Sequence, residues 1–374
     1  MRLALLEFLS YTLPFHAPFR TANGVLTQRT GWLVRVADVE GLGGLGEIAP
    51  LPEFGTETLP QAELALREWG RALETAELPE TPAQMDEWLD SKVPRGSDCP
   101  TARAGVEQAL LVLLAQRRGV SLGELFTPAP APRVAVNATL SASAPEEAAR
   151  QAQTAVSRGY GTLKVKVGVG GQREDDSRLK AVRAAVAPHI KVRADANGAW
   201  NFAQALEILN SWKELGLEYV EQPLPQGQEA EMIRLGQCSP IPLAADESAT
   251  TWNGAQRVLE QSGVALLILK PLALGGLWRA WSLAHRAHLA GLGVVVTTLL
   301  EGSVGRTGAL HLASALRGDP RLQSPGMEPP ACGLATGELL AQDFLEAPEL
   351  PFQGGLMRPH APGLGISEIK IPSR

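Results

Sequence analysis

The sequence predicts an α/β fold, a (β/α)7β barrel with an α+β capping domain built from the N-terminal part and the C-terminal tail. Seven short β-branched runs lie between Val134 and Leu300, each followed by a polar stop and a helix-like stretch. That alternation is the pattern of βαβ units in a parallel sheet. No glycine-rich GxGxxG turn follows the first run, as a doubly wound sheet would favour. Strand patterns followed by helix patterns, without alternation, precede the runs and predict an α+β domain.

The capping domain is expected over residues 1–128. Leu3–Leu9 and Trp32–Val39 have the composition and alternation of strands. Helical patterns follow near Glu57–Glu77 and near Thr101–Arg118. We therefore expect a small sheet covered by helices at the start of the chain.

The barrel is expected over residues 134–332, after a proline-rich joint, and residues 333–374 are expected to return to the cap. An eighth strand near Leu322–Met327 would complete the barrel. The seven predicted strands are Val134–Leu140, Thr162–Val167, Ile190–Ala194, Glu218–Val220, Pro242–Ala245, Ala265–Leu269 and Gly293–Leu300.

Composition narrows the class of protein. The 374 residues include 34 Lys and Arg against 40 Asp and Glu, a net charge of −6, so we expect no nucleic-acid partner, which would need clustered excess basic residues. The three cysteines form no CxxC pair, which fits a reducing cytoplasm. No apolar stretch is long enough for a bilayer, so no membrane partner is expected. The sequence leaves open whether the chain forms a homo-oligomer.

Three acids end consecutive predicted strands: Asp195, Glu221 and Asp246. The carboxyl ends of barrel strands line one site, so these side chains are expected to converge. Their mutual repulsion makes sense if a divalent cation neutralises it, and oxygen ligands without His or Cys favour Mg²⁺ or Mn²⁺ over zinc. The alternative is that they are ordinary surface acids in βα loops.

Two lysines, Lys164 and Lys166, lie two residues apart on the second predicted strand, so both leave the same face. Repulsion and burial are expected to lower one pKa toward neutrality, as a general base requires. Lys270 ends the sixth predicted strand, across the barrel. The alternative is a pair of solvated lysines at a loop edge. With a metal nearby, the set favours proton abstraction next to the carboxylate of a small-molecule substrate.

The strand-end motifs, in this order and spacing, resemble the enolase superfamily, muconate-lactonizing subgroup, whose catalytic domain is a TIM-like barrel. They are Lys164–Lys166, Asp195–Asn197, Glu221–Pro223, Ala245–Ser248, Leu269–Pro271 and Glu301–Gly305. No histidine lies in the seventh run, where the mandelate-racemase branch carries one.

The resemblance implies a role for each of these residues. Asp195, Glu221 and Asp246 are implied as Mg²⁺ ligands. Lys166 is implied as the acid/base on one face, Lys164 as its electrostatic helper and Lys270 as the lysine on the opposite face. Asn197 and Glu247 are implied to support the ligands.

Within the subgroup the chain is most similar to the o-succinylbenzoate synthase branch, through Pro18–Ala22, Gly46–Pro52 and Ala331–Leu340. This resemblance implies a dehydration in menaquinone biosynthesis. The same catalytic set would serve an N-succinylamino acid racemase. A dipeptide epimerase would carry an Asp-x-Asp pair after the last strand, and Met327–Pro330 lacks it.

Substrate binding is expected from the cap loops around Phe19–Gln28, including Arg20, and around Leu51–Thr56. It is also expected from the strand end at Glu301, where the backbone N–H groups of Gly302 and Ser303 would take a substrate carboxylate.

Overall fold

The capping part is a three-stranded antiparallel sheet followed by three helices. The computed structural model describes residues 2–21, 24–73, 77–93, 98–261, 263–323, 328–345, 353–366 and 369–370. Its first elements are β1 (Leu3–Thr21), β2 (Gly24–Asp38), β3 (Gly43–Ile48), α1 (Leu59–Leu73), α2 (Pro82–Lys92) and α3 (Pro100–Arg118). The sheet order is β1-β2-β3.

The first two strands are much longer than the sequence predicts. They form one hairpin in which Phe19 pairs with Leu26 and Arg20 with Val25, beyond a register shift between Pro14 and Phe19. The expectation of a loop is therefore wrong for Phe19–Thr21 and Gly24–Gln28, which belong to the paired strands β1 and β2. The alternation of apolar and polar residues is weak in this stretch, but strands can pair through their backbones without it.

Helix α3 packs directly on the cap sheet. A Cβ atom at Gly46 would lie 1.9 Å from the Gly105 carbonyl oxygen, so the two backbones approach at a distance that only glycine allows. The helix ends at Arg118 and is capped by Gly119, whose φ of 66° is left-handed. Helix α2 was not predicted, although Thr81 and Pro82 mark its start and the Thr81 side chain accepts from the Gln84 N–H.

The second part of the chain alternates strands and helices as predicted. Its strands are β4 (Arg133–Ala135), β5 (Ala138–Leu140), β6 (Thr162–Lys166), β7 (Lys191–Asp195), β8 (Leu217–Glu221), β9 (Leu243–Ala245), β10 (Leu266–Leu269) and β11 (Gly293–Val296). Its helices are α4 (Pro145–Ser157), α5 (Gln172–Ala185), α6 (Phe202–Trp212), α7 (Glu229–Cys238), α8 (Trp252–Glu260), α9 (Pro271–Leu274), α10 (Leu277–Leu289) and α11 (Ser303–Gly318). Strands β5 to β11 form one parallel sheet in sequence order.

The gap between the edge strands β5 and β11 is bridged by residues 331–333. Cys332 pairs in parallel with Val136 on one side, and Gly333 pairs in parallel with Thr297 on the other. The predicted eighth strand at Leu322–Met327 is therefore misplaced. Leu322 ends a 3-10 turn that Asp319 caps, and residues 324–327 lie outside the described residues.

The C-terminal part contacts both of the others. Strand β12 (Gly355–Met357) pairs antiparallel with β4. Leu340 forms a bridge with Phe15 of the cap, and Gly363 forms one with Ser121. The domain limits given above stay a prediction. Within the described ranges, no helix is both long and apolar enough to cross a membrane.

Candidate active site

One cavity at the carboxyl ends of the strands gathers the predicted acids and lysines. Its walls come from the cap, from the strand ends and from the stretch after the bridging residues. The lining residues are Phe19, Leu51, Phe54, Asn137, Thr139, Lys164, Lys166, Asp195, Asn197, Glu221, Asp246, Lys270, Thr297, Thr298, Leu299, Leu300, Gly333, Ala335, Thr336 and Leu339.

The pleat and register of three strands bring the first charged groups together. Lys164 and Lys166 share one face of β6, while Leu163 and Val165 are buried on the other. Lys166 is in register with Asp195, and Asp195 with Glu221. Their side chains therefore stand side by side across β6, β7 and β8.

The two lysines contact the first two acids directly. Lys164 Nζ lies 2.9 Å from Asp195 Oδ2 and 2.8 Å from Glu221 Oε1. Lys166 Nζ donates to Asp195 Oδ2 at 2.6 Å and to Asn197 Oδ1 at 2.8 Å. One ammonium group thus spans two carboxylates, which shows how closely the acids are packed.

Burial and neighbouring charges shift these acids in opposite directions. Burial alone would raise the pKa of Asp195, but Lys164 and Lys166 hold it well below its ordinary value. Burial, followed by the charge of Asp195, raises the pKa of Glu221 to about 8. The charged form of Glu221 is therefore less favoured here than in water, because burial and the charge of Asp195 both oppose it.

The expected fall in a lysine pKa is wrong for Lys164. Burial lowers the pKa of this amine, but Asp195 and Glu221 outweigh burial and raise it well above its ordinary value. The direct contacts of Lys164 Nζ with two carboxylates therefore outweigh the burial that favours the neutral amine.

Asn197 and Gln222 follow the strand ends and orient the acids around them. Both have left-handed backbones, with φ of 44° and 38°, which costs non-glycine residues free energy and is common at functional sites. Asn197 Nδ2 donates to Glu247 Oε1 at 2.9 Å. Gln222 Oε1 accepts from the backbone N–H of Asp246 at 3.0 Å. These contacts link the ends of β7, β8 and β9.

Lys270 follows β10 on the far side of the cavity from β6. Its Nζ donates to Asp246 Oδ1 and lies 5.2 Å from the centre of the Phe54 ring. Burial lowers the pKa of Lys270, but Asp246 and then Glu247 raise it above its ordinary value. A cap residue therefore contacts the lysine predicted on the opposite face.

The donor set suits a hard divalent cation. Asp195, Glu221 and Asp246 line one cavity and supply only oxygen. Glu247 Oε2, next along the chain, is buried without a hydrogen-bond partner. As the side chains are placed, no group of three or more His, Cys, Asp or Glu among the described residues is arranged to hold a metal ion. The acids here face the lysine ammonium groups, so metal ligation stays a prediction.

Three of the four predicted substrate-binding residues do not line the cavity: Glu301, Gly302 and Ser303. The Gly302 N–H donates to Glu47 Oε1 and the Ser303 N–H to Asp343 Oδ1, each at 2.7 Å. These donors are taken by the protein's own carboxylates, so their assignment to a substrate carboxylate is wrong. The Arg20 side chain lies outside the described residues.

Glu301 is buried behind the cavity and does not line it. One of its oxygens accepts from the Leu299 N–H at 2.5 Å. Burial, followed by the charge of Glu47, raises the pKa of Glu301 to about 7. Glu301 therefore acts on the cavity indirectly, because it holds the backbone of Leu299, a residue that lines the cavity.

Comparison with known proteins identifies the family. Residues 147–368 match the family described as enolase C-terminal domain-like. The chain belongs to the enolase superfamily. Residues 2–113 match the family described as MenC, N-terminal domain. The predicted family and fold class are confirmed, and the protein is an enzyme of this superfamily.

Relatives with different activities resemble the chain. It is 34% identical to the o-succinylbenzoate synthase of Thermobifida fusca over 91% of this chain and 85% of that protein. It is 32% identical to the N-succinylamino acid racemase of Thermus thermophilus over 100% of this chain and 96% of that one. The dipeptide epimerase of Enterococcus faecalis, solved with Mg and a dipeptide, is similar with a TM-score of 0.87 and 25% identity, covering 98% and 100% of the two chains.

Several lining residues had no predicted role. Phe54 falls within Leu51–Thr56, which the sequence indicated only as a stretch for specificity. Thr297 and Thr298 follow β11, and the hydroxyl groups of Thr298 and Thr336 lie 2.9 Å apart. A polar pair that ends an apolar run was the available signal for these threonines.

Proposed function

We propose that the protein is a Mg²⁺-dependent o-succinylbenzoate synthase, which dehydrates 2-succinyl-6-hydroxy-2,4-cyclohexadiene-1-carboxylate. The observation that carries the proposal is one cavity holding Lys164 and Lys166 on one side and Lys270 on the other, with the three strand-end acids between them. The similarity to the Thermobifida fusca enzyme supports the choice of reaction.

Asp195, Glu221 and Asp246 would hold the cation. Bound Mg²⁺ would neutralise the substrate carboxylate and so favour removal of the adjacent proton. Glu221 contacts Lys164, and Asp246 contacts Lys270. These two ammonium groups would therefore move away from the acids when the cation binds.

Lys166 is proposed as the acid/base. Its neutral amine takes the proton from the ring carbon that bears the carboxylate. The resulting ammonium gives that proton to the hydroxyl group leaving the neighbouring ring carbon. One C–H bond and one C–O bond break, water departs, and the ring becomes aromatic. Asn197 and Asp195, both in contact with Lys166 Nζ, hold the amine in place.

Lys164 and Lys270 are proposed to stabilise negative charge as it develops on the substrate. Lys270 already lies near the Phe54 ring, and an aromatic product ring would offer it a second such contact. Phe19, Phe54 and Leu299 supply an apolar wall for a six-membered ring.

A racemase of N-succinylamino acids is the second candidate. The similarity to the Thermus thermophilus racemase spans the whole chain, and lysines on two sides of a cavity suit proton exchange at both faces of a carbon. A dipeptide epimerase is less favoured, because Leu334–Thr336, directly after the bridging residues, contains no carboxylate.

Two assays separate these candidates. The first follows o-succinylbenzoate formation by its ultraviolet absorbance. The second follows deuterium exchange at Cα of N-succinylamino acids in D₂O. Fast product formation without exchange supports the dehydratase alone, and exchange with inversion but no product supports the racemase. If the protein shows neither activity in the presence of Mg²⁺, both candidate functions are overturned. The menaquinone pathway and a cytoplasmic location are part of the dehydratase proposal.

A further inference from the structure

Lys270 begins a short stretch of backbone that is stiffly tied to the start of α10. Helix α9 has only four residues, and the Leu274 N–H donates to the Lys270 carbonyl at 3.0 Å. The Gly276 N–H donates to the Pro271 carbonyl at 2.9 Å. A displacement of Gly275–Leu277 would therefore be transmitted to Lys270.

Two buried side chains of the cap helix α3 hold the far end of that stretch. Arg103 Nη1 donates to the Gly275 carbonyl at 2.6 Å, and Glu107 Oε2 accepts from the Leu277 N–H at 2.5 Å. Both side chains are fully buried. The Arg103 guanidinium is charged, and a hydrogen bond from a charged donor is about twice as strong as one between neutral groups, so its contact with the Gly275 carbonyl resists displacement.

The surroundings fit these two contacts closely. Arg103 is fixed within the cap by Asp86 at 2.7 Å and Asp90 at 2.9 Å, both on α2. Gly276 has φ of 151°, and a Cβ atom there would lie 2.3 Å from Glu107 Oε2. Only glycine leaves space for the carboxylate at this point.

We propose that Arg103 and Glu107 are positioning residues for Lys270, setting from the cap where this lysine stands in the cavity. This inference rests on the proposed function only for the catalytic role of Lys270 in the cavity. With Phe54 beside the amine and α3 behind its backbone, the cap controls the far side of the site, while Lys164 and Lys166 are set by the barrel sheet.

The direct test is the NMR signal of the lysine side chains. The chain has eight lysines, so protein labelled with ¹³C at lysine Cε gives few signals, and loss of a signal in Lys270→Arg and in Lys166→Arg assigns the two of interest. In Glu107→Ala we expect the Lys270 signal to shift or broaden and the Lys166 signal to stay. Glu107→Gln keeps an acceptor for the Leu277 N–H and should restore the wild-type Lys270 signal.

A matched control is Glu57→Ala. Glu57 is also a buried cap carboxylate, but its oxygens accept from Thr101 and Ala102 within the cap. Its loss should lower stability without moving the Lys270 signal. Should Glu107→Ala fail to fold, Glu107→Asp, whose carboxylate is one methylene further from Leu277, serves in its place.

Activity gives a second readout. Glu107→Ala should lower kcat by about 10- to 100-fold with KM within about twofold, because misplacement rather than lost binding is the defect. A Lys270 signal that is unchanged in Glu107→Ala, or equally changed in Glu57→Ala, overturns the proposal. An inactive wild-type enzyme would instead count against the proposed function, while the signals still test the positioning.

Discussion

The molecule buries carboxylates in two regions and satisfies them in different ways. At the mouth, meaning the three strand-end acids and the three lysines of the cavity, carboxylates face amines. At the seam, meaning Glu47 and Glu107 with the barrel N–H groups that they contact, carboxylates of the cap accept from backbone N–H groups of the barrel. Glu47 accepts from Tyr11 Oη and from the N–H groups of Gly302 and Gly305.

The difference separates chemistry from architecture. An amine on a flexible stem can exchange its partner or its proton, whereas a backbone N–H can do neither. The mouth is therefore built for reaction, and the seam fixes the cap on the starts of α10 and α11. Changes at the mouth should affect turnover, and changes at the seam should affect stability and placement.

The largest effect is expected from Lys166→Ala. Removing the proposed acid/base should lower kcat by about 10³-fold or more, with the thermal midpoint within a few degrees of wild type. Steady-state rates and a thermal melt check both. Lys191→Ala is the control, because Lys191 also pairs with a carboxylate on the next strand, Glu218 at 2.9 Å, but at the other end of β7. Near-normal turnover in Lys166→Ala would remove the chemical role assigned to the mouth.

Metal removal should affect the mouth alone. Dialysis against EDTA is expected to lower activity about 100-fold or more, and added Mg²⁺ or Mn²⁺ should restore it, because the acids need a cation before a substrate carboxylate can approach. Circular dichroism of the metal-free enzyme should show the fold intact. Full activity without metal would contradict the role given to the three acids.

Glu47→Ala sharpens the other half of the comparison. It leaves three buried donors without their acceptor, so we expect a loss of about 3 to 5 kcal/mol in the free energy of unfolding, measured with urea. Glu7→Ala, which breaks an exposed pair with Arg35 in the same sheet, should cost well under about 1 kcal/mol. Equal losses in both variants would show that the seam does not stabilise the fold as described.

The smallest effect is a pH dependence. Burial, followed by Arg103 acting in the opposite direction, leaves the pKa of Glu107 raised to about 7, and that of Glu301 is also raised to about 7. The folded state then binds these protons more tightly than the unfolded state. Their contribution to stability is full below about pH 4.5 and is lost as the pH rises toward about 7.

Urea midpoints between pH 5 and pH 8 measure this loss. The decline should be shallower in Glu107→Gln and Glu301→Gln, which cannot deprotonate, than in wild type. A Glu7→Gln control should follow the wild-type curve. Identical slopes in all four proteins would show that neither buried acid titrates in this range.

The sequence predicted the mouth far better than the seam. Strand ends in a parallel barrel converge for topological reasons, so motifs at Lys164–Lys166, Asp195, Glu221, Asp246 and Lys270 could be placed in one cavity without coordinates. The bridging segment at 331–333 was not predicted as a strand, because it is only three residues long and contains no run of apolar residues.

The contacts of the seam could not be predicted without the tertiary structure. Nothing in the local pattern of Gly46–Pro52 says that Glu47 will reach the N–H of Gly302, which lies 255 positions away. The same long-range contact is why Gly302 and Ser303 were wrongly given to the substrate. Phe54 and Gln222 likewise act through packing and hydrogen bonds between different secondary-structure elements. Hydrophobic periodicity within one element does not predict such contacts.

A crystal structure of the enzyme with Mg²⁺ is the most direct test of the claim that three strand-end acids share one cation. We predict a single ion in the cavity with an oxygen of Asp195, Glu221 and Asp246 each at about 2.1 Å, and with Lys164 and Lys270 moved off the acids. An ion bound elsewhere, or a Glu221 and an Asp246 that keep their contacts with Lys164 and Lys270 at saturating Mg²⁺, would contradict it.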